Sequence, residues 1–216
     1  MRTRVKICCI SSREEAELAI RMGADALGLV GHMPSGPGVI DDALIRSIAG
    51  SVPPPTGTFL LTSETTFTDI LTHYDRVHTN TLQLVDAVDA DTYRRLREAR
   101  PHLKIVQVIH VQDESNIEEA IEISDDVDAL LLDSGNPHAA TKILGGTGNT
   151  HDWSLSRRIV EAVDCPVFLA GGLRAENVRE AMETVQPFGL DLCSGVRTNG
   201  RLDPRKLETF MEAVHL

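Results

Sequence analysis

Two side chains in this 216-residue chain stand where a proton could be moved inside an apolar setting: Cys8 and Asp133. Cys8 lies in the run Arg4-Val5-Lys6-Ile7-Cys8-Cys9-Ile10, and Asp133 closes Ala129-Leu130-Leu131-Leu132-Asp133. A thiol beside an ammonium has access to its thiolate form, which serves as base or nucleophile; the plainer reading of a free Cys is a small buried hydrophobe. A carboxylate after four apolar residues is costly unless it is solvated, paired or used. Used, it is a general acid or base; unused, it caps or anchors the segment that follows. Period-2 alternation puts Lys6 and Cys8 on one face of the first run and Ile7 and Cys9 on the other. Lys6 and Cys8 are therefore expected on the inner face, with Cys9 outside. Asp191, between Leu190 and Leu192, is expected inside as well, where a pair with Lys6 would be structural.

A second constellation lies near the end of the chain. Val167-Phe168-Leu169-Ala170-Gly171-Gly172-Leu173 and Gly189-Leu190-Asp191-Leu192-Cys193-Ser194-Gly195-Val196 are both short apolar runs that stop abruptly in small residues. Such runs read as strands buried on both faces, as in parallel sheets. Gly at the strand end lets the backbone turn and leaves its N–H groups uncovered. Two such ends side by side suit a dianionic phosphate. Gly171, Gly172, Ser194 and Gly195 are the expected cradle. Cys8 and Asp133, across the mouth from each other, would then act on opposite sides of a bound sugar.

These residues need elements to position them. Apolar runs predict strands over 4–10, 26–30, 57–61, 82–85, 104–110, 129–133, 167–173 and 189–196. Helical patterns follow, with Ser11 or Ser12 capping the first, Asp41 or Asp42 opening the second to about Ala49, and helices over 67–74 and 91–100. A helix over 115–123 has a capping-box look, Ser115 followed by Glu118. Helices over 154–163, 176–185 and from Pro204 to the end complete the series. The longest loop, residues 134–152, contains Gly145-Gly146-Thr147-Gly148. Eight strand-helix pairs in a chain this short close into an α/β fold, a single (β/α)8 TIM barrel over residues 1–216. The alternative, a doubly wound open sheet, has no reason to repeat eight times or to place its glycines after strands seven and eight. Barrel active sites lie at the C-terminal strand ends, and the loops after strands seven and eight are a common phosphate site.

The bulk numbers narrow the partners. A net charge of −11 argues against a nucleic-acid surface, yet a local nest of N–H groups still holds phosphate in an acidic protein. No apolar stretch approaches the roughly 20 residues of a membrane span, and Met1-Arg2-Thr3-Arg4 runs into a strand without a signal-peptide core. The cysteines, Cys8, Cys9, Cys165 and Cys193, contain no Cys-x-x-Cys pair, and reduced thiols in the cytoplasm are expected. The eight histidines form no zinc-like cluster, so no metal is expected. No oligomeric state is assigned.

Taken together, Val5-Lys6-Ile7-Cys8, Gly23-Ala24-Asp25-Ala26-Leu27-Gly28, Leu132-Asp133, Gly145-Gly146-Thr147-Gly148 with Asp152-Trp153, Ala170-Gly171-Gly172-Leu173 with Glu176-Asn177-Val178, and Ser194-Gly195-Val196 resemble the blocks of the phosphoribosylanthranilate isomerase family, in order and over essentially the whole chain. The resemblance implies a TIM barrel without cofactor, acting on a small phosphorylated substrate in tryptophan biosynthesis. It implies an Amadori rearrangement of an aminoaldose phosphate to an aminoketose phosphate. It also implies that Cys8 is the general base and Asp133 the general acid: the acid opens the furanose ring at its oxygen, and the base takes the C2′ proton of the resulting Schiff base.

The chain departs from that pattern at four places. Cys9 stands where the family has Gly, Val85 where it has His after Gln-Leu, and Arg197 where it has an acidic residue. In the loop Met33-Pro34-Ser35-Gly36-Pro37-Gly38-Val39, Gly38 stands where the family has an Arg that holds the anthranilate carboxylate. Lys6, His32, Gly146, Asp191 and Arg197 are further substrate-site candidates. Arg197 is the nearest new cation, expected near the phosphate corner. Weak or absent activity on phosphoribosylanthranilate is expected, with recovery of some affinity in Gly38→Arg if the loop can reach. Two rival readings are a family member with a changed substrate and a phospho-ligand-binding barrel without turnover.

Overall fold

A computed structural model of the chain describes residues 2–135 and 150–215. Eight parallel strands close in chain order: β1 (Arg4–Ile7), β2 (Ala26–Val30), β3 (Gly57–Thr62), β4 (Thr81–Leu84), β5 (Lys104–His110), β6 (Ala129–Asp133), β7 (Val167–Leu169) and β8 (Gly189–Leu192), with β8 pairing back onto β1. Helices α1 (Arg13–Arg21), α2 (Asp42–Ala49), α3 (Phe67–Val77), α4 (Ala90–Ala99), α5 (Ser115–Ser124), α6 (Trp153–Ala162), α7 (Val178–Val185) and α8 (Pro204–His215) follow the strands. A short hairpin of β9 (Arg197–Thr198) and β10 (Arg201–Leu202) precedes α8. The (β/α)8 barrel expected from the sequence is the architecture found. Among the described residues no helix is long and apolar enough to cross a membrane.

Alternation along each strand divides the apolar residues between two cores. Val5, Ile7, Leu130, Leu132, Leu190 and Leu192 face the helices. Ala26, Phe59, Val106, Val108, Ala129, Leu131 and Phe168 fill the barrel. Phe168 packs edge-on between Phe59 and Phe188, at 6.0 and 5.4 Å between centroids, and so supplies bulk in a chain with few aromatics. The same alternation turns Lys6, His110, Asp133 and Asp191 inward, and the register sets Lys6 opposite Asp191 and His110 opposite Asp133.

Some expected boundaries move, for local reasons. β8 ends at Leu192, and Ser194–Val196 is a turn of 3-10 helix rather than strand. The capping box is found on α1, not α5. Ser12 accepts from the Glu15 N–H at 3.2 Å while Glu15 reaches back to the Ser11 N–H at 3.0 Å. Ser115 is already inside α5; Asp113 accepts from its N–H at 2.8 Å and its hydroxyl at 2.6 Å. A carboxylate two residues upstream is the stronger acceptor and takes the capping role.

Candidate active site

The mouth of the barrel is lined by Cys8, Asp133, Asp191, Gly171, Gly172, Ser194 and Gly195, together with Cys9, Cys193, Gln83 and the loop residues Met33, Gly36 and Pro37. The structure thus brings seven of the expected residues to one place. Lys6 lies beneath it, fully buried. Gly146 falls outside the described residues. His32 and Arg197 are elsewhere, as described below.

Lys6 donates from Nζ to Asp191 Oδ1 at 2.8 Å and lies 5.2 Å from the centre of the Phe59 ring. Burial alone would lower the Lys6 pKa, but the Asp191 carboxylate and the Cys8 sulfur attract the ammonium and hold it above its ordinary value. The ammonium is thus fixed in its charged form next to the candidate base. Gly28, across on β2, makes the room. A methyl there would come within 2.8 Å of Cys8 Sγ and 3.1 Å of Lys6 Nζ.

Asp133 is buried at the end of β6, and Oδ1 accepts from the Ser134 N–H at 2.7 Å. Burial pushes its pKa up; the Ser134 N–H and His110 oppose this, and the Asp191 charge adds to it. A carboxyl raised in this way keeps its proton further toward neutral pH, the condition for a general acid. His110 Nε2 lies 2.9 Å from the Val85 carbonyl, which only accepts, so that nitrogen carries the proton. The alternation Val106, Val108, His110 marks His110 as inward-facing, a signal the sequence reading passed over.

The two glycine-rich strand ends expected to form the phosphate cradle meet at one corner of the mouth. Gly171 and Gly172 both take positive φ, 84° and 63°. Neither N–H is used in a backbone hydrogen bond among the described residues. Asn177 staples this turn, accepting from the Arg174 N–H at 2.8 Å and donating to the Gly172 carbonyl at 3.1 Å. Gly195 sits so close to the same turn that a Cβ would fall 2.1 Å from the Leu173 carbonyl oxygen. Paired backbone amides of this kind are a setting for anions.

Three expectations are corrected. Cys9 is not outside the barrel: β1 ends at Ile7, and Cys9 has a left-handed backbone, φ 62°, which breaks the alternation and brings its thiol to the mouth. Arg197 does not serve the phosphate corner. Its guanidinium is buried against Glu15 at 3.1 Å and donates to the carbonyls of Cys8 at 3.1 Å and Cys9 at 2.5 Å. Burial alone would raise the Glu15 pKa, but hydrogen bonds from Arg197 and from the Leu202 and Ser11 N–H groups hold it low. An arginine with such a partner stays with it, because a buried charge left alone is far costlier. His32 lies in a separate polar hollow with Asp42, Glu64 and His73.

Gly38 is also not an open seat for a cation. Its φ is 81°, and a Cβ there would lie 2.5 Å from Cys9 Cβ. Cys9 fills the space that a side chain at 38 would need. The expected recovery in Gly38→Arg is therefore withdrawn, because the arginine must displace Cys9 as well as strain the backbone. Among the described residues, none that lines the mouth is Lys, Arg or His.

Comparison with known proteins gives one consistent result. The family model described as N-(5'phosphoribosyl)anthranilate (PRA) isomerase matches residues 5–213. The N-(5'-phosphoribosyl)anthranilate isomerase of Methanothrix thermoacetophila is 35% identical over 212 residues, covering 98% of each chain. That of Haloferax volcanii is 37% identical over 203 residues, covering 92% of this chain and 86% of the relative. Among solved structures, phosphoribosyl anthranilate isomerase from Thermotoga maritima superimposes with a TM-score of 0.84 at 29% identity, covering 99% of this chain and 98% of the other. A phosphoribosyl anthranilate isomerase in complex with reduced 1-(o-carboxyphenylamino)-1-deoxyribulose 5-phosphate superimposes with a TM-score of 0.81 at 27% identity, with coverage of 99% and 98%.

Proposed function

The chain belongs to the N-(5'-phosphoribosyl)anthranilate (PRA) isomerase family, and on that premise we propose that it converts a phosphorylated aminoaldose to the aminoketose, the family's step in tryptophan biosynthesis, with Asp133 as acid and Cys8 as base. The observation that carries the reading is the meeting of an inward Cys8 over a charged Lys6, a buried Asp133 with raised pKa, and a glycine-lined anion corner at one mouth. The bound ligand of one structural relative is the reduced form of an aminoketose phosphate, and the unreduced aminoketose is the product type this scheme requires. Four free cysteines fit a reducing compartment, and the cytoplasm is the proposed location.

The chemistry follows from the positions. Asp133 gives its proton to the furanose ring oxygen while the amine lone pair moves to C1′; the C1′–O bond breaks and a Schiff base forms. The Cys8 thiolate then takes the C2′ proton, and the electrons released make the enolamine, which ketonises to product. Lys6, paired with Asp191, sits beneath Cys8 without touching the sugar. The N–H groups of Gly171, Gly172, Ser194 and Gly195 hold the phosphate and fix where C2′ lies relative to Cys8. A progress assay with phosphoribosylanthranilate, with Cys8→Ala as control, tests the reading; absence of turnover with retained phosphate binding favours a non-catalytic binder.

Gly195→Ala tests the phosphate corner. The methyl must push the Gly195 and Leu173 backbones apart, so phosphate and substrate affinity is expected to drop at least tenfold while the barrel stays folded. Isothermal titration with inorganic phosphate, beside a thermal melt, measures both.

The lack of a cation among the described lining residues makes a prediction about the aromatic half. A charge-assisted contact to a carboxylate is worth roughly 1.5–3 kcal/mol, about tenfold to a hundredfold. With no such contact among the described lining residues, kcat/KM for phosphoribosylanthranilate and for the analogue with aniline in place of anthranilate is expected to differ by less than about tenfold. A preference above about a hundredfold for the carboxylate would mean that a cation holds it.

A further inference from the structure

The isomerisation uses one of the three thiols at the mouth and leaves two without a role. We propose that Cys9 and Cys193 form a separate oxidation site, which small hydroperoxides convert to a Cys9–Cys193 disulfide across the ends of β1 and β8. The two strands are hydrogen-bonded neighbours, Ile7 opposite Leu192, and the Cys8 N–H donates to the Leu192 carbonyl at 2.7 Å. Adjacent strands lie about 4.8 Å apart, so this register carries Cys193 to a place opposite Cys8, and Cys9, one residue further on, lines the same mouth as Cys193. Both cysteines have left strand geometry there, Cys9 at φ 62° and Cys193 at φ −127°, ψ −84°. The Cys9 thiol donates to the Pro37 carbonyl at 3.6 Å and shares the lining of the mouth with the Cys193 and Cys8 side chains. Adjacent residues are only 3.8 Å apart at Cα, too close for an unstrained bridge, so Cys193 rather than Cys8 is the partner of Cys9.

The two thiols have different parts. The hydrogen bond from Cys9 holds the Cys193 thiol below its ordinary range despite burial, and the Arg197 guanidinium assists. Donating that bond, and burial, push the Cys9 thiol up. Cys193 is therefore the attacking thiolate. Its sulfur takes the distal oxygen of the hydroperoxide, the O–O bond breaks, and the alcohol or water leaves: sulfur loses two electrons and the peroxide gains them. The Cys9 sulfur then attacks the sulfenic sulfur, the S–O bond breaks, and hydroxide leaves as water with the Cys9 proton. In sum, two thiols and one hydroperoxide give a disulfide, an alcohol or water, and one water.

The site is open to small molecules through the same mouth the substrate uses. Cys193 directly precedes Ser194 and Gly195, and Cys9 directly follows Cys8, so the bridge ties the phosphate corner to the base. Oxidation is expected to reduce turnover at least tenfold, reversibly. This consequence rests on the isomerase reading; the bridge itself does not.

The test treats the full-length protein with hydrogen peroxide, blocks free thiols, and maps tryptic peptides without reduction. The expected product joins the peptide of residues 7–13 to that of residues 180–197, and disappears with dithiothreitol as turnover returns. The link is expected to be absent in Cys9→Gly and in Cys193→Ser. Glycine suits the left-handed φ at position 9, so Cys9→Gly is expected to fold. Cys165, whose thiol burial pushes up, is expected to remain unmodified under the same treatment. A link that persists in Cys9→Gly, which would assign the bridge to Cys8, or no link at all would overturn the proposal; a link that leaves wild-type turnover unchanged would overturn only its coupling to the isomerisation.

Discussion

Cys8→Ser and Asp133→Asn each lower kcat by about 10²–10⁴-fold, the usual worth of a positioned acid or base, while inorganic phosphate binds as in the parent protein. Serine keeps the shape of the Cys8 side chain but has no accessible anion at neutral pH, so the C2′ proton has no acceptor. Asparagine keeps an oxygen for the Ser134 N–H, which donates to Asp133 at 2.7 Å, but has no acidic proton for the ring oxygen. Both replacements are nearly isosteric in a buried setting, so a loss of rate without a loss of melting temperature separates chemistry from folding. The double variant is expected to be little worse than the poorer single one, because groups that serve one reaction lose their effect together. The pH profile carries a further sign. Asp133 must be protonated to act, and burial raises its pKa, so kcat falls on the alkaline side as the carboxyl loses its proton, and that limb is absent in Asp133→Asn. Either single variant with parental kcat would remove that residue from the scheme.

How much of this was legible in the sequence depends on the range of the forces involved. Strand alternation is local, and it placed Lys6, Cys8 and Asp191 on the inner face, including the Lys6–Asp191 pair, which the structure forms at 2.8 Å. Paired apolar runs ending in glycine marked the two strand ends that share the mouth. Cys9 was misplaced because the rule that predicted it stops where the strand stops; one left-handed residue turns the side chain around. Arg197 was misplaced because its partner, Glu15, is 182 residues away and serves as the α1 capping residue too, a combination that no local pattern contains. Gly38 was read as a lost cation, while the structure shows it as one half of a packed pair with Cys9. Two substitutions that looked independent in the sequence occupy one volume. Restoring a family-like loop therefore calls for Cys9→Gly together with Gly38→Arg.

Lys6→Met is expected to be the most destabilising single replacement of a charged residue. Lys6 has no exposed surface, and its partner Asp191 keeps 8% of its side-chain area exposed. Removing the ammonium leaves the Asp191 carboxylate beside Asp133 with no cation to offset it. Breaking a buried pair in this way costs about 3–5 kcal/mol, which at 2–4 °C per kcal/mol for a domain of this size lowers the melting temperature by roughly 6–20 °C. The companion variant Lys6→Met/Asp191→Leu removes both charges and is expected to recover most of that loss, since an apolar pair of similar volume often matches a buried ion pair. The comparison also has a pH signature. The folded-state pKa of Lys6 is raised above the ordinary 10.5, so the folded state holds its proton where the unfolded chain has released it. The contribution is full below about pH 10.5 and declines as pH rises through the higher folded value. The stability gap between the parent and the double variant is thus expected to be flat from pH 6 to 9 and to move against the parent above about pH 10.5, as read by urea denaturation. A Lys6→Met protein as stable as the parent would mean that Asp191 is satisfied without its ammonium. The ion pair would then be a passenger in the barrel rather than part of what holds the strand ends under the mouth.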